Sequence, residues 1–468
     1  MTDTASAPLT AARDPAFHRL IFRLHFYAGI IIAPFLLILA ITGSIYLFNT
    51  EIEDAYHPDW RFASTAGEHL KPEQMVAGAL SAHPDATPTR IDLPTAADRT
   101  AVVFLKPAEG RPFRVYVDPV SGQAKGTFVY EDTLIGWSDQ LHGALMMGDF
   151  GDGIVELASC WAILLIGTGL YLWWPRGANG LGGVLYPRLD LRGRALWRDL
   201  HGVIGVWTSA GLLFLLMTGL PWSTQWGSNL NKVMGAVGQG YPAAYRTHIG
   251  EHGATPSEKT AQVLGTTNPG VPWTLEQAPS ATSHAGHDMA GGAPIDVAQA
   301  AAIFGREGLT TGYRLVYPRN EHDVFTAYTY PDQPEGQRTI HLDQYTGEVV
   351  NDVSFENYGA GAKTVELGVA IHMGNYFGLI NQLLMLAISL GGALLAITGP
   401  IMWLKRRRAG LGAPPPFKGK RAGWAVYASL AVFGMFFPLL GVSLLVVLAF
   451  ERLILSRVRP TREWLGLA

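Results

Sequence analysis

The stretch "LHFYAGIIIAPFLLILAITG" at Leu24–Gly43 decides the fold, and a near copy, "LHGVIGVWTSAGLLFLLMTG", stands at Leu200–Gly219. Each has about the 20 mostly apolar residues that a helix needs to cross about 30 Å of hydrocarbon. Each also carries a histidine at its second position, His25 and His201. An ionisable side chain at the edge of a membrane span is costly and usually functional. The sequence therefore predicts a membrane protein with a repeated, histidine-bearing helix.

Apolar residues make up 48% of the 468-residue chain and charged residues only 16%. They gather in five runs long enough to span a bilayer. The predicted spans are 24–48, 153–174, 202–223, 377–404 and 424–450. The segments between them are 1–23, 49–152, 175–201, 224–376, 405–423 and 451–468. The first run follows a polar lead and is too long for the core of a signal peptide, so we expect it to be retained.

Arginine and lysine concentrate before the first span, between the second and third spans, and between the fourth and fifth. The positive-inside rule places these segments in the cytoplasm and the two long segments, 49–152 and 224–376, on the far side. A fifth span would put the arginine-rich tail 451–468 outside, against the rule. As an alternative, Pro438 breaks the last run into a re-entrant hairpin. The net charge of −3 and the short basic loops give no reason to expect nucleic-acid binding.

The chain repeats itself. A shift of 176 residues superposes the first predicted span on the third, and a shift of 230 superposes the second on the fourth. The matched pairs are His25 with His201, Gly29 with Gly205, Thr42 with Thr218, Gly43 with Gly219, His142 with His372, Thr168 with Thr398, and Gly169 with Gly399. Two-span halves that enter from the same side are related by an axis along the membrane normal. That axis makes His25 face His201 at the inner edge and His142 face His372 at the outer edge.

The long outer segments repeat as well. "VYVDPVSGQA" from Val115 matches "IHLDQYTGEV" from Ile340, and each predicts a strand, an Asp–Gly turn and a second strand. A helix-like segment precedes each. We therefore expect two small α+β modules, one in each half.

Two histidines that face each other across a helical bundle suit the two axial positions of a haem iron. An iron with both positions filled favours electron transfer over oxygen binding. Gly29 and Gly205 lie one helical turn after the inner histidines and are expected to clear room for the porphyrin. Arg23 and Arg198, with Arg19, are expected to pair with haem propionates. Since Thr42 follows His25 by 17 residues, about 25 Å of helix, we predict two haems, one near each face.

Other readings compete for the same residues. His18 rivals His25 as an inner ligand, although Arg194 stands at its repeat position. A zinc or copper site is weaker, because two nitrogens need further ligands. A second candidate metal site lies in a Gly/Ser/Ala-rich loop, where the His, Asp and Met content suits transient capture of copper or iron. Its histidines are His248, His252, His284 and His287.

The outer "YVDPVSGQ" and "HLDQYTGE" segments resemble PepSY domains, and the histidine-bearing spans resemble PepSY-associated transmembrane proteins, over about residues 15–407. The resemblance implies a bacterial inner-membrane protein of the ferric-siderophore reductase type with two b-type haems. It puts His25 and His201 on the inner haem and His142 and His372 on the outer one. The implied fold class is an α-helical integral membrane protein: duplicated two-span halves forming a four-helix haem-binding bundle, a fifth span, and two periplasmic α+β PepSY-like modules.

Two functions follow from this sequence. The first is an oxidoreductase that takes electrons from quinol or a cytoplasmic reductase and reduces a periplasmic ferric siderophore or another acceptor, such as copper. The second is a non-enzymatic, membrane-anchored PepSY pair that binds or restrains a periplasmic protein, with structural histidines. The presence or absence of haem separates the two.

Overall fold

A computed structural model describes residues 15–64, 67–175, 180–242, 245, 264–267, 271–283, 293–406, 421–450 and 453. The described residues form two compact units. The helical unit draws on residues 1–41, 147–220 and 387–468, and the sheet unit on residues 42–146 and 221–386.

The helices take up most of the described chain. In chain order they are α1 (Pro15–Tyr46), α2 (Asn49–Tyr56), α3 (Pro58–Arg61), α4 (Pro72–Ala82), α5 (Leu134–Ala144), α6 (Gly148–Trp173), α7 (Arg194–Gly219), α8 (Trp226–Ala236), α9 (Leu264–Thr267), α10 (Trp273–Glu276), α11 (Val297–Arg306), α12 (Ala360–His372), α13 (Leu379–Arg406), α14 (Arg421–Phe436) and α15 (Pro438–Phe450). The strands are β1 (Ala86–Asp92), β2 (Ala101–Pro107), β3 (Phe113–Val117), β4 (Ala124–Phe128), β5 (Tyr313–Val316), β6 (Val324–Thr329), β7 (Arg338–Asp343) and β8 (Val349–Ser354).

Four helices of the described chain, α1, α6, α7 and α13, are long and apolar enough to cross a membrane. In hydrocarbon a helix satisfies its backbone polar groups internally, which makes it the favoured way for an apolar run to span. The bounds of these helices differ from the apolar windows predicted for them. The first begins at Pro15 rather than 24, and the third at Arg194 rather than 202. His25 and His201 therefore lie inside long helices, because helical hydrogen bonding continues into the polar residues before each apolar run.

The predicted fifth span, 424–450, is not one continuous helix. The run forms α14 and α15, which are separated at Phe437, and Pro438 is the first residue of α15, where its missing N–H costs no hydrogen bond. The chain folds back there, since a Cβ added to Gly434 would lie 2.8 Å from the Cα of Gly441. The structure thus has the hairpin that was the alternative for this run. Trp161 on α6 donates a hydrogen bond from Nε1 to Ser443 Oγ on α15, at 3.1 Å.

In the sheet unit, the eight described strands form one antiparallel sheet in the order β4-β3-β2-β1-β5-β6-β7-β8. The two predicted α+β modules are therefore not separate bodies, because β1 of the first pairs with β5 of the second. Ile91 stands opposite Leu315, and Arg90 opposite Val316. The strand order is symmetric about this seam: β1, β2, β3 and β4 follow one another on one side, and β5, β6, β7 and β8 follow in the same order on the other. The unpaired edges of β1 and β5 satisfy each other, which removes two exposed strand edges.

Helices α4 and α11 share one hydrophobic core with the sheet. Ala79 and Phe304 from these helices and Ile91 and Leu315 from the seam are fully buried in it. Burying a side chain such as Phe or Leu contributes about 1.5–3 kcal/mol, so this core stabilises the joined sheet as one body.

The two Asp–Gly turns have the predicted form. Asp118 accepts hydrogen bonds from the backbone N–H groups of Ser64, Val120 and Ser121, and Asp343 accepts two equivalent bonds in the second module. Burial raises the pKa of the Asp118 carboxyl, but these amide donors outweigh it and hold the pKa at about 2. Gly122 has φ +75, a left-handed conformation that favours glycine.

Candidate functional site

The histidines of α1 and α7 lie side by side in the helical unit. The ring centroids of His25 and His201 are 6.4 Å apart, and the ring planes are inclined by 81°. A bond from a metal ion to an imidazole nitrogen is about 2.0–2.1 Å, so two rings that bind one ion from opposite sides have centroids roughly 6 Å apart. The observed separation therefore matches two imidazoles that share one metal ion.

A threonine holds each of these rings. His25 Nδ1 lies 2.9 Å from Thr168 Oγ1 on α6, and His201 Nδ1 lies 2.8 Å from Thr398 Oγ1 on α13. Each contact joins the two spans of one half of the chain. The repeat aligns these two threonines, but no sequence pattern predicted a role for them. Hydrogen bonds of this kind orient the histidine ligands of metal sites.

Glycines give the rings their space. A Cβ on Gly169 would lie 3.2 Å from His25 Cε1, and one on Gly399 would lie 3.6 Å from His201 Cε1. These residues directly follow Thr168 and Thr398, so a Thr–Gly pair supplies both the hydrogen bond and the space. The only sequence signal for this role was their alignment in the repeat.

A cavity of about 440 Å³ lies between α1, α6, α7 and α13, and both histidines line it. This volume is within the range of small-molecule and cofactor sites, about 300–1,000 Å³. Gly29 and Gly205, predicted to clear space, also line it. The nearest atom to a Cβ on Gly29 would be Leu165 Cδ2 at 3.9 Å, and for Gly205 it would be Leu395 Cδ2 at 3.7 Å. Either position thus has room for a methyl group among the protein atoms.

Cationic side chains also line the cavity, although not all of those predicted. Arg198 is a lining residue, and so are Arg194 and Arg406, which the sequence did not single out for this role. Arg23 instead lies against Tyr27, with its Cζ 5.2 Å from the ring centroid and Nη2 3.3 Å from the hydroxyl. Arg23 is therefore not among the cavity-lining residues of the described chain, because the aromatic ring one turn away attracts its guanidinium, and its pairing with a haem propionate stays a prediction.

His18, the rival inner ligand, is also in the cavity lining. Its ring centroid is 6.3 Å from that of Tyr171. The ring contact at metal-sharing distance is between His25 and His201, which favours that pair.

The outer histidines do not begin the spans that follow them. His142 lies in the short helix α5, and His372 is the last residue of α12. Leu145 and Met146 have positive φ after the first, and Gly374 and Gly378 after the second, so the chain turns before each span starts. His142 Nδ1 lies 3.0 Å from Thr42 Oγ1, and a Cβ on Gly43 would lie 3.0 Å from its Cε1. The facing of His142 and His372 stays a prediction.

The sheet unit contains a histidine of a different kind. His341 on β7 is fully buried, with Nδ1 2.8 Å from Thr326 Oγ1 and Nε2 2.8 Å from the Tyr245 hydroxyl. Burial lowers its pKa to about 3. Both ring nitrogens have protein partners, so this side chain is a structural histidine.

The loop histidines His248, His252, His284 and His287 lie outside the described residues. Among the residues that the structure does describe, no group of three or more His, Cys, Asp or Glu side chains is placed to hold a metal ion.

Comparison with known proteins covers the four long helices and the sheet unit, but not α14 and α15. A search of curated proteins gives no match. Residues 22–406 match the family described as PepSY-associated TM region, which is more than four-fifths of the chain and includes all four long helices. The predicted family is thus confirmed, and the chain is a helical membrane protein that belongs to the PepSY-associated TM region family.

Proposed function

We propose that this chain is a transmembrane electron-transfer protein with two b-type haems, which carries electrons from the cytoplasmic side to a periplasmic ferric siderophore. One observation carries the proposal: His25 and His201 face each other across an apolar cavity with their ring centroids 6.4 Å apart. His142 and His372 are assigned to the second haem on the basis of the repeat and the resemblance.

The donor set fits a haem better than a bare ion. Zinc in proteins takes three or four protein ligands. Three histidines line the cavity, but His25 and His201 are the pair at the separation of a shared ion, and no group of three ligands is placed to hold a metal among the described residues. A haem would bring the other ligands of its iron in its own ring, so His25 and His201 would complete the set. The space at Gly29 and Gly205 and the apolar lining suit a flat hydrophobic plate. Arg194, Arg198 and Arg406 supply positive charge for its carboxylates.

When bound, haem supplies an iron that cycles between the ferric and ferrous states. The protein's part is to hold that iron in fixed surroundings. His25 and His201 would hold the haem iron between them, which would favour electron transfer over oxygen binding. Thr168 and Thr398 fix the two rings. The apolar side chains of the four helices exclude water from the cavity.

The direction of transfer rests on charge asymmetry. Basic residues cluster in the N-terminal segment and in the loops after the second and fourth spans. By the positive-inside rule, these segments lie on the cytoplasmic side of an inner membrane. The sheet unit is then periplasmic and receives the acceptor. The electron donor is quinol or a cytoplasmic reductase.

Purified full-length protein tests this proposal. We expect red protein with two haems per chain and a sharp low-spin b-type spectrum on reduction with dithionite. Anaerobic addition of ferric chelates of the hydroxamate, catecholate and carboxylate classes should reoxidise the protein while a ferrous chelator reports Fe²⁺. Copper(II) serves as the alternative acceptor. Colourless protein that retains a periplasmic binding partner would instead establish the non-enzymatic binding module.

A further inference from the structure

Three histidines of the described chain meet the same pair of residues, a threonine followed by a glycine. In each case the threonine hydroxyl lies within hydrogen-bond distance of Nδ1 and the glycine faces the ring at Cε1. We call such a pair an imidazole seat. The three seats are Thr168–Gly169 for His25, Thr398–Gly399 for His201, and Thr42–Gly43 for His142.

The seats are close-fitting. The oxygen–nitrogen distances are 2.9, 2.8 and 3.0 Å in the order given, all within the normal hydrogen-bond range. A Cβ in place of the glycine hydrogen would lie 3.2, 3.6 and 3.0 Å from Cε1. Alanine in place of Gly169 or Gly43 would therefore require the imidazole ring to shift by a few tenths of an ångström.

The hydroxyl proton of Thr168 indicates the direction of its hydrogen bond with His25. Thr168 Oγ1 donates to the Leu164 carbonyl at 2.9 Å, a bond within its own helix. With its proton used there, the hydroxyl oxygen accepts from His25, so Nδ1 carries the ring proton. At Thr398 the corresponding contact, to the Leu395 carbonyl, is longer at 3.4 Å, and we assign the same direction there from the repeat. In a neutral imidazole protonated at Nδ1, Nε2 holds the lone pair that binds a metal.

We propose that Thr168 and Thr398 are positioning residues that select the metal-binding tautomer of His25 and His201 and tune their strength as ligands. The inference rests on the proposed function, because the ligand they would serve is haem iron. A hydrogen bond from Nδ1–H to an acceptor makes Nε2 a stronger donor, which stabilises ferric over ferrous iron. Loss of the acceptor should therefore raise the reduction potential of the inner haem.

Thr168→Val and Thr398→Val test this, because valine keeps the shape of threonine and removes the hydroxyl. Redox titration of the purified, haem-loaded protein is the readout. At a fixed ambient potential we expect about a three- to tenfold higher ferrous-to-ferric ratio at the inner haem in each variant. A tenfold change corresponds to about 59 mV for one electron. Thr168→Ser and Thr398→Ser restore the acceptor and should return the ratio to the wild-type value.

Thr208→Val is the matched control. Its hydroxyl donates to the Ile204 carbonyl of its own helix at 2.8 Å, and Thr208 is not among the residues of the described chain that line the cavity. We expect this variant to titrate like the wild type.

The outcomes separate the two proposals. Wild-type protein without haem overturns both. Wild-type protein with two haems whose valine variants titrate unchanged overturns the role of the threonines alone. Loss of the inner haem in a valine variant with its retention in the serine variant supports the role, since only the hydroxyl differs. Equal loss in the valine and serine variants overturns it, because the hydroxyl would then not be the decisive group.

Discussion

The helical unit and the sheet unit both contain a histidine whose Nδ1 meets a threonine hydroxyl, yet the two sites differ. His341 in the sheet unit is fully buried, and its second nitrogen bonds to the Tyr245 hydroxyl. His201 in the helical unit bonds to Thr398 through Nδ1, and its ring lines a cavity opposite a second imidazole. A histidine–threonine contact alone does not make a site. His201 differs because its ring lines a cavity beside a second imidazole, at a separation that suits a shared metal ion.

Among substitutions of these histidines, we expect the largest difference in the number of haems that each variant binds. His201→Ala removes one axial ligand, so we expect haem per chain to fall from two to one and electron entry from the cytoplasmic side to stop. His372→Ala should also leave one haem, with the inner one still reducible. His341→Gln should keep both. Haem assay of the purified variants measures this, and a loss of haem in His341→Gln equal to that in His201→Ala would remove the distinction.

At acid pH the buried histidine of the sheet unit, His341, should destabilise the folded protein. The pKa of His341 is lowered from 6.5 to about 3, so between these values the unfolded state binds the proton that the folded state excludes. Its contribution to stability is complete above pH 6.5 and falls as the pH drops towards 3, by up to about 1.4 kcal/mol per pH unit.

The pH test requires a difference measurement. Burial, with Glu366 nearby, raises the pKa of Glu276 to about 7, which makes the folded state gain stability as the pH falls through that range. Denaturant unfolding of wild type and His341→Gln across pH 3–7 isolates the histidine. The variant should lose stability less steeply on acidification. Parallel curves would show that His341 does not titrate with unfolding.

Substitution of Gly29 should show whether the space beside it is required by the cofactor or by the packing of protein atoms. Gly29→Ala fits among the protein atoms, since the nearest would lie 3.9 Å away, and alanine favours the helix by about 0.5–1 kcal/mol. We expect the thermal stability of the haem-free protein to rise and haem to dissociate several-fold faster. Faster transfer of haem to an apoprotein acceptor, beside a higher Tm without haem, is the expected pair of results. Unchanged transfer would mean that no porphyrin edge passes Gly29.

The smallest effect is expected from the cavity arginines. Arg198 lines the cavity, so Arg198→Ala removes positive charge near the iron and should lower the inner haem potential by less than about 59 mV, a tenfold change in ratio. Arg23 lies on Tyr27 and should have no effect. Redox titration of both variants decides this. A larger shift in Arg23→Ala would return that residue to the cofactor site.

The sequence predicted the parts of the fold that local patterns encode. Apolar runs give the four spans, and the repeat led to the pairing of His25 with His201, which the structure brings to 6.4 Å. The seam between β1 and β5 joins residues more than 220 positions apart, and no local pattern specifies such a register. The guanidinium of Arg23 lies against the Tyr27 ring instead of lining the cavity. This contact depends on side-chain geometry, which a local sequence pattern does not specify. Thr168 and Thr398 were aligned by the repeat, but only their distances to the imidazoles show what they do.

Electron paramagnetic resonance of the oxidised protein tests the shared metal most directly. Imidazole planes inclined by 81° would leave the two iron d orbitals that form π bonds with them nearly equal in energy. We therefore predict that the inner haem gives a strongly anisotropic low-spin ferric signal, which is lost in both His25→Ala and His201→Ala while the signal of the outer haem remains. Survival of the inner-haem signal in either variant, or wild-type protein with no low-spin iron, would contradict the account.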